Sequence, residues 1–329
     1  MTTDKAEIKT IGVLTSGGDS PGMNAAVRAV VRVAVKQGLK VFGIRHGYHG
    51  LLTDQVKPMK NNSVSNIIQR GGTILKTARS QEFRSPEGRI VAAETIKKYG
   101  IDALITIGGD GTFTGAEIFS KEHGVKVIGI PATIDNDIFG TDETIGYDTA
   151  LNTALDAIDK IRDTADAHER MFLVEVMGRD AGFIALETGI AGGAELSLLP
   201  EEFTNINDIK SQLKNMLKNQ VRSSLVVVAE GDETGGAIKL AELIREDFKQ
   251  YDMRVCILGH NQRGGSPTAR DRVLASRLGA AAIKILIEGQ SEVMVGIVNN
   301  QLKITPLHVA ITKEKVLDRT LIDLARLLR

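Results

Sequence analysis

The stretch Pro131-Ala132-Thr133-Ile134-Asp135-Asn136-Asp137 follows the apolar run Val125–Ile130, and the interpretation of the whole chain depends on it. The run is typical of a buried strand. Pro131 lacks the N–H that a sheet ladder needs, so we expect the strand to end there and an ordered loop to follow. Ligands of open α/β sheets bind at the carboxyl ends of strands. The stretch is therefore a candidate site.

Two interpretations of this loop stay open at this point. Asp, Asn, Thr and Pro are ordinary turn residues that hydrogen-bond locally, so the loop is compatible with a solvated turn. In an extended segment, however, Asp135 and Asp137 would point to the same side and place two carboxylates beside Thr133. That arrangement suits proton abstraction or metal binding.

Composition excludes several classes of protein. The 329 residues are 42% hydrophobic and 25% charged, which is ordinary for a globular chain of about two domains. Lys plus Arg and Asp plus Glu both number 41, so no net field favours nucleic acid or a membrane surface, and we expect neither as a partner. The sequence shows neither an export signal nor a membrane-length apolar run.

Cys256 is the only cysteine, so a disulfide framework within the chain is impossible. A reducing compartment is the natural setting, and we expect a cytoplasmic protein. Cys256 itself lies in an apolar run, which predicts a buried structural thiol.

Short apolar runs alternate with amphipathic segments along the chain, which predicts an α/β fold with parallel sheets flanked by helices. The predicted strands are Ile8–Leu14, Val41–Ile44, Ala103–Ile107, Val125–Ile130, Met171–Val176, Leu225–Ala229, Val255–Leu258 and Val293–Val298. The predicted helices are Met23–Gln37, Glu87–Tyr99, Thr112–His123, Thr149–Ala165, Asp208–Lys218, Ile238–Lys249 and Arg270–Glu288.

Punctuation residues support these boundaries. Glycines that follow helical runs are expected to adopt positive φ as helix C-caps; they are Gly38, Gly100, Gly124 and Gly289. Ser85 and Pro86 suit the N-cap and first position of a helix. Asn299-Asn300 between two strand-like runs predicts a tight hairpin turn.

Two glycine-rich turns connect a strand to a helix and suit phosphate binding. In Gly17–Gly22, backbone N–H groups and the helix dipole can cradle a phosphate. Gly17 and Gly22 have the spacing of a Walker A loop, but Met23-Asn24 stands where Lys-Ser/Thr is needed, and the dinucleotide fingerprint is absent. Gly108–Thr112 repeats the arrangement, with Asp110 as a hard oxygen ligand for Mg²⁺. Together these turns suggest a nucleoside triphosphate.

Cationic residues complete the chemistry that phosphoryl transfer needs, because guanidinium groups stabilise the migrating phosphoryl. Arginines in or beside loops are Arg79, Arg84, Arg170, Arg179, Arg254 and Arg263. Arg179 follows Gly178 at a strand end and is the best placed. Arg28, Arg32 and Lys36 form a row on one helix, for which a solvated face is the default. His260 suits either a loop or a ligand contact.

The motifs together resemble bacterial ATP-dependent 6-phosphofructokinase. They are Thr15-Ser-Gly-Gly-Asp-Ser-Pro-Gly-Met-Asn-Ala-Ala26, Gly108-Gly-Asp-Gly111, the stretch Pro131–Asp137, Val176-Met-Gly-Arg179 and Leu258-Gly-His-Asn-Gln-Arg-Gly-Gly-Ser-Pro267. The resemblance implies two Rossmann-like three-layer domains with segment exchange between them. It places ATP and Mg²⁺ on residues 1–145 and 262–311, and fructose 6-phosphate on residues 146–261 and 312–329. It also implies a homotetramer.

The resemblance assigns roles residue by residue. Asp135 would be the base for the sugar 1-hydroxyl, with Thr133 and Asp137 beside it, and Arg79 and Arg179 would stabilise the transferring phosphoryl. The ATP contacts would be Gly18, Arg79, Ser80, Gly109, Asp110, Gly111 and Thr112, with Asp110 as the Mg²⁺ ligand. The fructose 6-phosphate contacts would be Thr133, Asp135, Arg170, Met177, Gly178, Arg179, Glu230, Arg254, His260 and Arg263. Arg170 and Arg254 would reach the site of a neighbouring subunit.

The implied reaction transfers the γ-phosphoryl group of ATP to the 1-hydroxyl of fructose 6-phosphate, the committed step of glycolysis. Pyrophosphate-using members resemble this pattern but carry Asp and Lys at the positions of Gly111 and Ala132. Because Gly and Ala leave room for the α-phosphate of a nucleotide, ATP is the expected donor.

Effector control is left open by the sequence. The positions that match the family's effector site are Arg28, Arg32, Arg162, Glu195 and Arg222, but Asn61, Asn219 and Val221 stand where regulated members carry basic residues. Regulation by ADP or phosphoenolpyruvate is therefore not decided. Arg45 replaces a tyrosine near the adenine, a smaller departure.

Two other functions are compatible with part of this pattern. NAD and lipid kinases share Gly-Gly-Asp-Gly-Thr but lack the Thr133–Asp137 loop and the Gly17–Asn24 start. A catalytically silent regulatory subunit would also bind nucleotide or sugar phosphate. The complete set of Asp110, Asp135, Asp137, Arg79 and Arg179 favours a working enzyme instead.

Overall fold

The structure is a computed structural model that describes residues 8–203, 205–218 and 224–328. Its strands are β1 Thr10–Thr15, β2 Lys40–Ile44, β3 Val56–Met59, β4 Ala103–Gly108, β5 Lys126–Pro131, β6 Met171–Val176, β7 Leu196–Leu198, β8 Ser224–Ala229, β9 Met253–Ile257, β10 Val293–Val298 and β11 Gln301–Pro306. Its α-helices are α1 Met23–Lys36, α2 Gly47–Leu52, α3 Pro86–Tyr99, α4 Asp110–His123, α5 Tyr147–His168, α6 Phe183–Ala191, α7 Ile206–Lys218, α8 Gly236–Ile244, α9 Ala269–Ile287, α10 Leu307–Thr312 and α11 Arg319–Leu327.

Every predicted strand is present, and so is every predicted helix except one, with ends shifted by a few residues. The prediction of one helix over Ile238–Lys249 is wrong, because α8 ends at Ile244 and a 3₁₀ helix, Arg245–Phe248, follows. Elements that the sequence pattern did not reveal are β3, β7, α2, α6, α10 and α11. Most of these elements are too short to show a hydrophobic periodicity. Helix α6 is apolar on most of its faces and therefore lacks the amphipathic pattern of a surface helix.

The predicted punctuation is confirmed. The Ser85 side chain accepts a hydrogen bond from Gly88 N and caps α3, with Pro86 in its first turn. The four helix-ending glycines have φ between 60 and 88°. Asn299 and Asn300 have φ of 50 and 60° and join β10 to the antiparallel β11, because a tight hairpin needs two left-handed residues.

The chain divides into two compact units and crosses between them more than once. The first unit contains the described residues up to Ile134, together with Ile138–Thr149 and Arg263–Lys315. The second contains Asp135–Asp137, Ala150–Gln262 and the described residues from Val316 onwards.

The first unit is built on a seven-stranded sheet of order β11-β10-β5-β4-β1-β2-β3. It is parallel except for the pairs β10–β11 and β2–β3. Alternate residues face opposite sides, so that Val13 belongs to a core with α1 and α9, and Leu14 to a core with α3, α4 and α10. Helices therefore cover both faces. Since β2 and β4 pair with opposite edges of β1, the strand order reverses between β1 and β4, where ligands of such sheets bind.

The second unit is built on a parallel four-stranded sheet of order β7-β8-β6-β9. Leu213 of α7 and Leu240 of α8 belong to the core of one face, and α6 contacts β7 and β8. Because β8 and β9 pair with opposite edges of β6, this sheet reverses its order between β6 and β9. The predicted α/β class with two Rossmann-like domains is confirmed.

Candidate functional site

In the first unit, the loops that follow β1, β4 and β5 lie side by side, because these three strands are neighbours in the sheet. Gly108 pairs with Pro131, and Ser16 N donates to the carbonyl of Ile107 at 3.0 Å. A Cβ on Gly108 would lie 2.4 Å from the Ser16 carbonyl, and one on Gly109 would lie 3.7 Å from Thr133 Cβ. The two predicted phosphate turns and Thr133 thus form one surface.

Thr112 fills the space between the two glycine-rich turns. Its hydroxyl would lie 3.3 Å from a Cβ on Gly17 and 2.4 Å from one on Gly108. The side chain is 3% exposed. Its carbonyl accepts a 2.6 Å hydrogen bond from Tyr48 of α2, and burial raises the pKa of the Tyr48 hydroxyl, which keeps the donor protonated. Asp110 and Gly111 remain exposed in the first turn of α4.

The segment that carries Arg79 is tied to the turn after β1. Asn24, which stands where a Walker A loop has Ser or Thr, is 1% exposed, and its side-chain amide bonds the backbone of Arg70, Gly71 and Ile74. The Thr77 hydroxyl donates to Gly17 O at 2.6 Å. Arg79 is exposed, whereas the hydroxyl of Ser80 accepts a hydrogen bond from Phe83 N at 3.2 Å.

The loop after β5 is ordered by contacts with the segment that precedes α5. Ala132 forms a bridge with Ile145, and the Thr144 hydroxyl donates to Thr133 O at 2.7 Å. The expectation that Asp135 and Asp137 share one side of an extended segment is wrong in its premise, because Asn136 between them has φ of 56°, a left-handed conformation that breaks the alternation of a strand. Asp135 is 4% exposed, and Asp137 is half-buried.

Arg263 lies at the turn after β1, in the first unit. Its Nη1 donates to Asp19 O at 3.4 Å and would lie 2.2 Å from a Cβ on Gly18. Because of this close approach, Gly18 must be glycine for the Arg263 guanidinium to keep its position. Apart from Thr133, the other predicted sugar-phosphate contacts belong to the second unit.

In the second unit, the loop after β6 carries Met177, Gly178 and Arg179. Met177 and Gly178 are buried, and the Arg179 side chain is exposed. The carboxylate of Glu230, which follows β8, accepts hydrogen bonds from Gly178 N at 3.2 Å and Arg179 N at 2.7 Å. His260 lies in the 3₁₀ helix Gly259–Arg263 that follows β9 and is exposed. These residues flank the reversal point of the second sheet.

Arg170 and Arg254 meet at one carboxylate that the sequence did not single out, Asp252. Arg170 Nε donates to Asp252 Oδ2 at 2.6 Å, and Arg254 Nη2 donates to the same oxygen at 3.0 Å. The guanidinium of Arg254, and next that of Arg170, holds the pKa of the Asp252 carboxyl below its ordinary value. A cationic pair therefore lies beside the paired strands β6 and β9, in which Phe172 pairs with Arg254.

The effector-site positions are distributed over both units. Arg28 and Arg32 lie on α1 in the first unit. In the second, Arg162 donates to the Gly192 carbonyl at 3.0 Å and approaches Glu195 at 3.5 Å. Asn61 is exposed. Arg222, Asn219 and Val221 lie outside the described residues.

Comparison with known proteins identifies the family. The family model described as Phosphofructokinase matches residues 10–286. The chain belongs to the phosphofructokinase family. It is 57% identical over 319 residues to ATP-dependent 6-phosphofructokinase 2 of Bacteroides thetaiotaomicron, covering 97% of this chain and 98% of that protein. It is 56% identical over 321 residues to ATP-dependent 6-phosphofructokinase 1 of Thermus thermophilus, covering 98% and 99%.

A solved phosphofructokinase has the same fold. The structure of the enzyme from Saccharomyces cerevisiae superposes with a TM-score of 0.86 at 37% identity, over 97% of this chain. This chain spans about half, 46%, of the yeast chain. The predicted family, and with it the predicted fold class, is thus confirmed.

Some features of this phosphofructokinase chain differ from expectation or were not anticipated. Cys256 is half-buried rather than buried, because β9 is an edge strand, and burial raises the pKa of its thiol. Asn24 contacts residues 70–74, and Asp252 contacts Arg170, across long stretches of sequence. Of these two supporting residues, only Asn24 lies in a motif that could have drawn attention to it. None of the helices in the described part of the chain is long and apolar enough to cross a membrane.

Proposed function

We propose that the chain is an ATP-dependent 6-phosphofructokinase that transfers the γ-phosphoryl group of ATP to the 1-hydroxyl of fructose 6-phosphate. The products are fructose 1,6-bisphosphate and ADP. The observation that carries the proposal is identity of 56–57% over almost the full length of relatives named for this activity. The local geometry adds support, because both sheets present the expected residues at their reversal points.

The first unit would bind the nucleotide. In the turn Gly108–Thr112 a Cβ on Gly111 would meet nothing within 4 Å, which leaves the backbone there open to a phosphate. Ala132 is 1% exposed and lies in the core. Gly18, Arg79, Ser80, Gly109 and Thr112 complete the proposed ATP contacts. The open space at Gly111 supports room for the α-phosphate of ATP, and this favours ATP over pyrophosphate as the donor.

Mg²⁺ is the proposed metal, with Asp110 as its protein ligand. Within the described residues, His, Cys, Asp and Glu form no group of three or more that could hold a metal ion. A single exposed carboxylate at the start of a helix fits Mg²⁺, which keeps several waters and is bound through one or two carboxylates together with substrate phosphates. When bound, the ion would neutralise charge on the phosphate oxygens.

The second unit supplies the proposed base. A sugar hydroxyl is too weakly acidic to ionise beforehand, so Asp135 would accept its proton as the new O–P bond forms and the bond to the ADP oxygen breaks. Thr133 and Asp137 would position the acceptor hydroxyl. Arg79 and Arg179 would stabilise the charge on the migrating phosphoryl, because guanidinium groups donate to its equatorial oxygens.

The remaining sugar-phosphate contacts are proposed as a group. They are Met177, Gly178, Glu230, His260 and Arg263, with Arg170 and Arg254 for the 6-phosphate. Arg170 and Arg254 would serve the site of a neighbouring chain in a homotetramer. A cytoplasmic setting and the effector residues Arg28, Arg32, Arg162, Glu195 and Arg222 also belong to the proposal.

Steady-state kinetics with fructose 6-phosphate test the proposal directly. ATP or pyrophosphate is supplied as the donor, and each series is repeated with ADP and with phosphoenolpyruvate. We expect turnover with ATP and Mg²⁺ and no turnover with pyrophosphate. Absence of turnover with ATP at any sugar concentration would contradict the assignment. A change of the sugar KM on adding ADP or phosphoenolpyruvate would show that effector control survives the substitutions at Asn61, Asn219 and Val221.

A further inference from the structure

Three successive backbone N–H groups after β6 are held by side chains from the two neighbouring strands. Met177 N donates to Gln262 Oε1 at 2.9 Å. The N–H groups of Gly178 and Arg179 both donate to Glu230 Oε1. Glu230 follows β8, and Gln262 lies in the 3₁₀ helix after β9. Because β8 and β9 flank β6, the loop is fixed from both sides.

The held backbone has a costly conformation. Arg179 has φ of 53°, and a non-glycine residue in this region is strained and persists there only where its surroundings impose the conformation. Gly231 is part of those surroundings, because a Cβ there would lie 2.0 Å from the Arg179 carbonyl oxygen. Gly178 has φ of 152°, and a Cβ on it would lie 2.4 Å from Ala181 O. Glycines on both sides thus permit the conformation, and Glu230 holds it.

The backbone angles of a residue set the direction in which its side chain leaves the chain. If Arg179 relaxed to a right-handed conformation, its Cα–Cβ bond would point elsewhere. Electrostatic stabilisation of a transition state depends on donors that are oriented beforehand, and a misplacement of 1 Å can cost about a hundredfold in rate. The hydrogen bonds of Glu230 are therefore placed to affect the rate through Arg179.

We propose that Glu230 and Gln262 are positioning residues of the phosphoryl transfer, which fix the backbone of Met177–Arg179 so that Arg179 keeps its orientation. This inference rests on the proposed role of Arg179. It adds a second role to the proposed sugar contact of Glu230, because both N–H groups donate to one carboxylate oxygen, Oε1. An amide oxygen can replace that oxygen without the negative charge.

The first test compares Glu230→Ala with Glu230→Gln, in the wild-type chain and in Arg179→Ala. Glu230→Ala is expected to lower kcat about 10- to 100-fold, in addition to any rise in the KM for fructose 6-phosphate that follows from loss of its proposed sugar contact. Glu230→Gln keeps an acceptor oxygen and should lose at least about fivefold less kcat than Glu230→Ala. In Arg179→Ala, adding Glu230→Ala should lower kcat less than about twofold further, because residues that act as a unit are not additive.

Gln262→Met and Gly231→Ala perturb the backbone of Met177–Arg179 through two other contacts. Gln262→Met removes the acceptor of Met177 N at similar side-chain length, and Gly231→Ala pushes on the Arg179 carbonyl. Both should lower kcat without raising the sugar KM more than about threefold, and neither should add to the loss in Arg179→Ala.

Amide hydrogen exchange of the peptide that contains residues 177–181 gives a readout independent of turnover. Exchange should be faster in Glu230→Ala than in wild type and close to wild type in Glu230→Gln, since only the former loses the acceptor. Unchanged exchange in Glu230→Ala, or equal loss of kcat in Glu230→Gln and Glu230→Ala, would overturn the inference. A fully additive loss in Arg179→Ala would overturn it as well.

These outcomes separate the inference from the function on which it rests. Normal turnover of Arg179→Ala would remove Arg179 from the mechanism, and the positioning role with it. Loss of turnover in Arg179→Ala together with additive effects of Glu230→Ala would leave the role of Arg179 intact and refute the positioning role alone.

Discussion

The carboxylate of Asp271 accepts hydrogen bonds from both the backbone N–H and the hydroxyl of Thr149, at 2.8 and 2.5 Å. Gly146 N donates to its other oxygen at 2.7 Å. In return, the Thr268 hydroxyl, which caps α9, donates to Asp148 at 2.5 Å. Side chains at the start of α9 and of α5 thus hydrogen-bond to each other within the first unit. Thr149 is the last residue of this segment before the chain continues into the second unit. Burial outweighs these hydrogen bonds and raises the pKa of Asp271 to about 6.

The first prediction concerns stability against pH in Asp271→Asn. Because the raised pKa means that the folded chain binds this proton more tightly than the unfolded chain, the stabilising contribution is largest below pH 4 and is lost as pH rises through 6. The free energy of unfolding of wild type, relative to the variant, should fall by about 2–3 kcal/mol between pH 4 and 7. Denaturant titrations across this range measure it. A difference that stays constant with pH would contradict the prediction.

The second prediction concerns the proposed base. Asp135→Asn keeps the shape of the side chain but cannot accept the proton, so kcat should fall by about a thousandfold or more while fructose 6-phosphate still binds. Equilibrium binding of the sugar phosphate and turnover with ATP separate the two effects. Asp137→Asn serves as the matched control and should lose less, since its proposed role is positioning. Near-normal turnover of Asp135→Asn would remove Asp135 from its role.

The third prediction concerns the donor. Gly111→Asp should lower kcat/KM for ATP about tenfold or more, because a carboxylate beside the nucleotide phosphates is repelled by them. Gly111→Ala is the control and should change the value little. Since a Cβ on Gly111 meets nothing within 4 Å, the melting temperature without ligand should not change in Gly111→Asp or Gly111→Ala. Equal losses in Gly111→Asp and Gly111→Ala would refute the charge argument.

Gly108→Ala is a control for stability. Its Cβ would collide with Ser16 O, so this variant should have a lower melting temperature.

The fourth prediction tests whether sites are shared between chains. Assayed at fructose 6-phosphate concentrations well below KM, Asp135→Asn is expected to be nearly inactive. Arg170→Ala is expected to be about tenfold or more less active than wild type, because loss of a charge-assisted contact raises its sugar KM. If Arg170 serves a neighbouring chain, mixing and reassembling the two variants should restore activity at sites that receive Arg170 from one chain and Asp135 from the other. Asp252→Asn leaves both arginines in place and should change the sugar KM less than about threefold. A mixture no more active than its components would contradict shared sites.

Local patterns predicted much of the fold because the signals were local. Helix ends at Gly38 and Gly100 and the hairpin at Asn299-Asn300 depend on residues within a few positions, and these were correct. The three residues of β7 carry no readable period. The pattern predicts the strand-to-loop transition at Pro131 but not the left-handed Asn136. Asn is enriched in that conformation, yet the residue type alone does not tell which asparagine of a loop adopts it.

The supporting contacts of the site could not be predicted for a different reason. Gln262 and Met177 are 85 positions apart, and Asp271 and Thr149 are 122 apart. No periodicity links such pairs, because strand order rather than sequence brings them together. Motifs predict the residues that would contact a ligand, whereas the residues that hold them in place are visible only in the structure.

The packing of α1 against α9 has a consequence for how the chain is made. Both helices cover the same face of the first sheet, yet roughly 230 residues, including nearly all of the second unit, separate Lys36 from Ala269. At translation rates of about 5–20 residues per second, roughly ten to fifty seconds pass between the synthesis of α1 and the synthesis of α9. The amino-terminal half of the nascent chain must therefore pass through a period with uncovered apolar surface, during which ribosome-associated chaperones have their opportunity to bind.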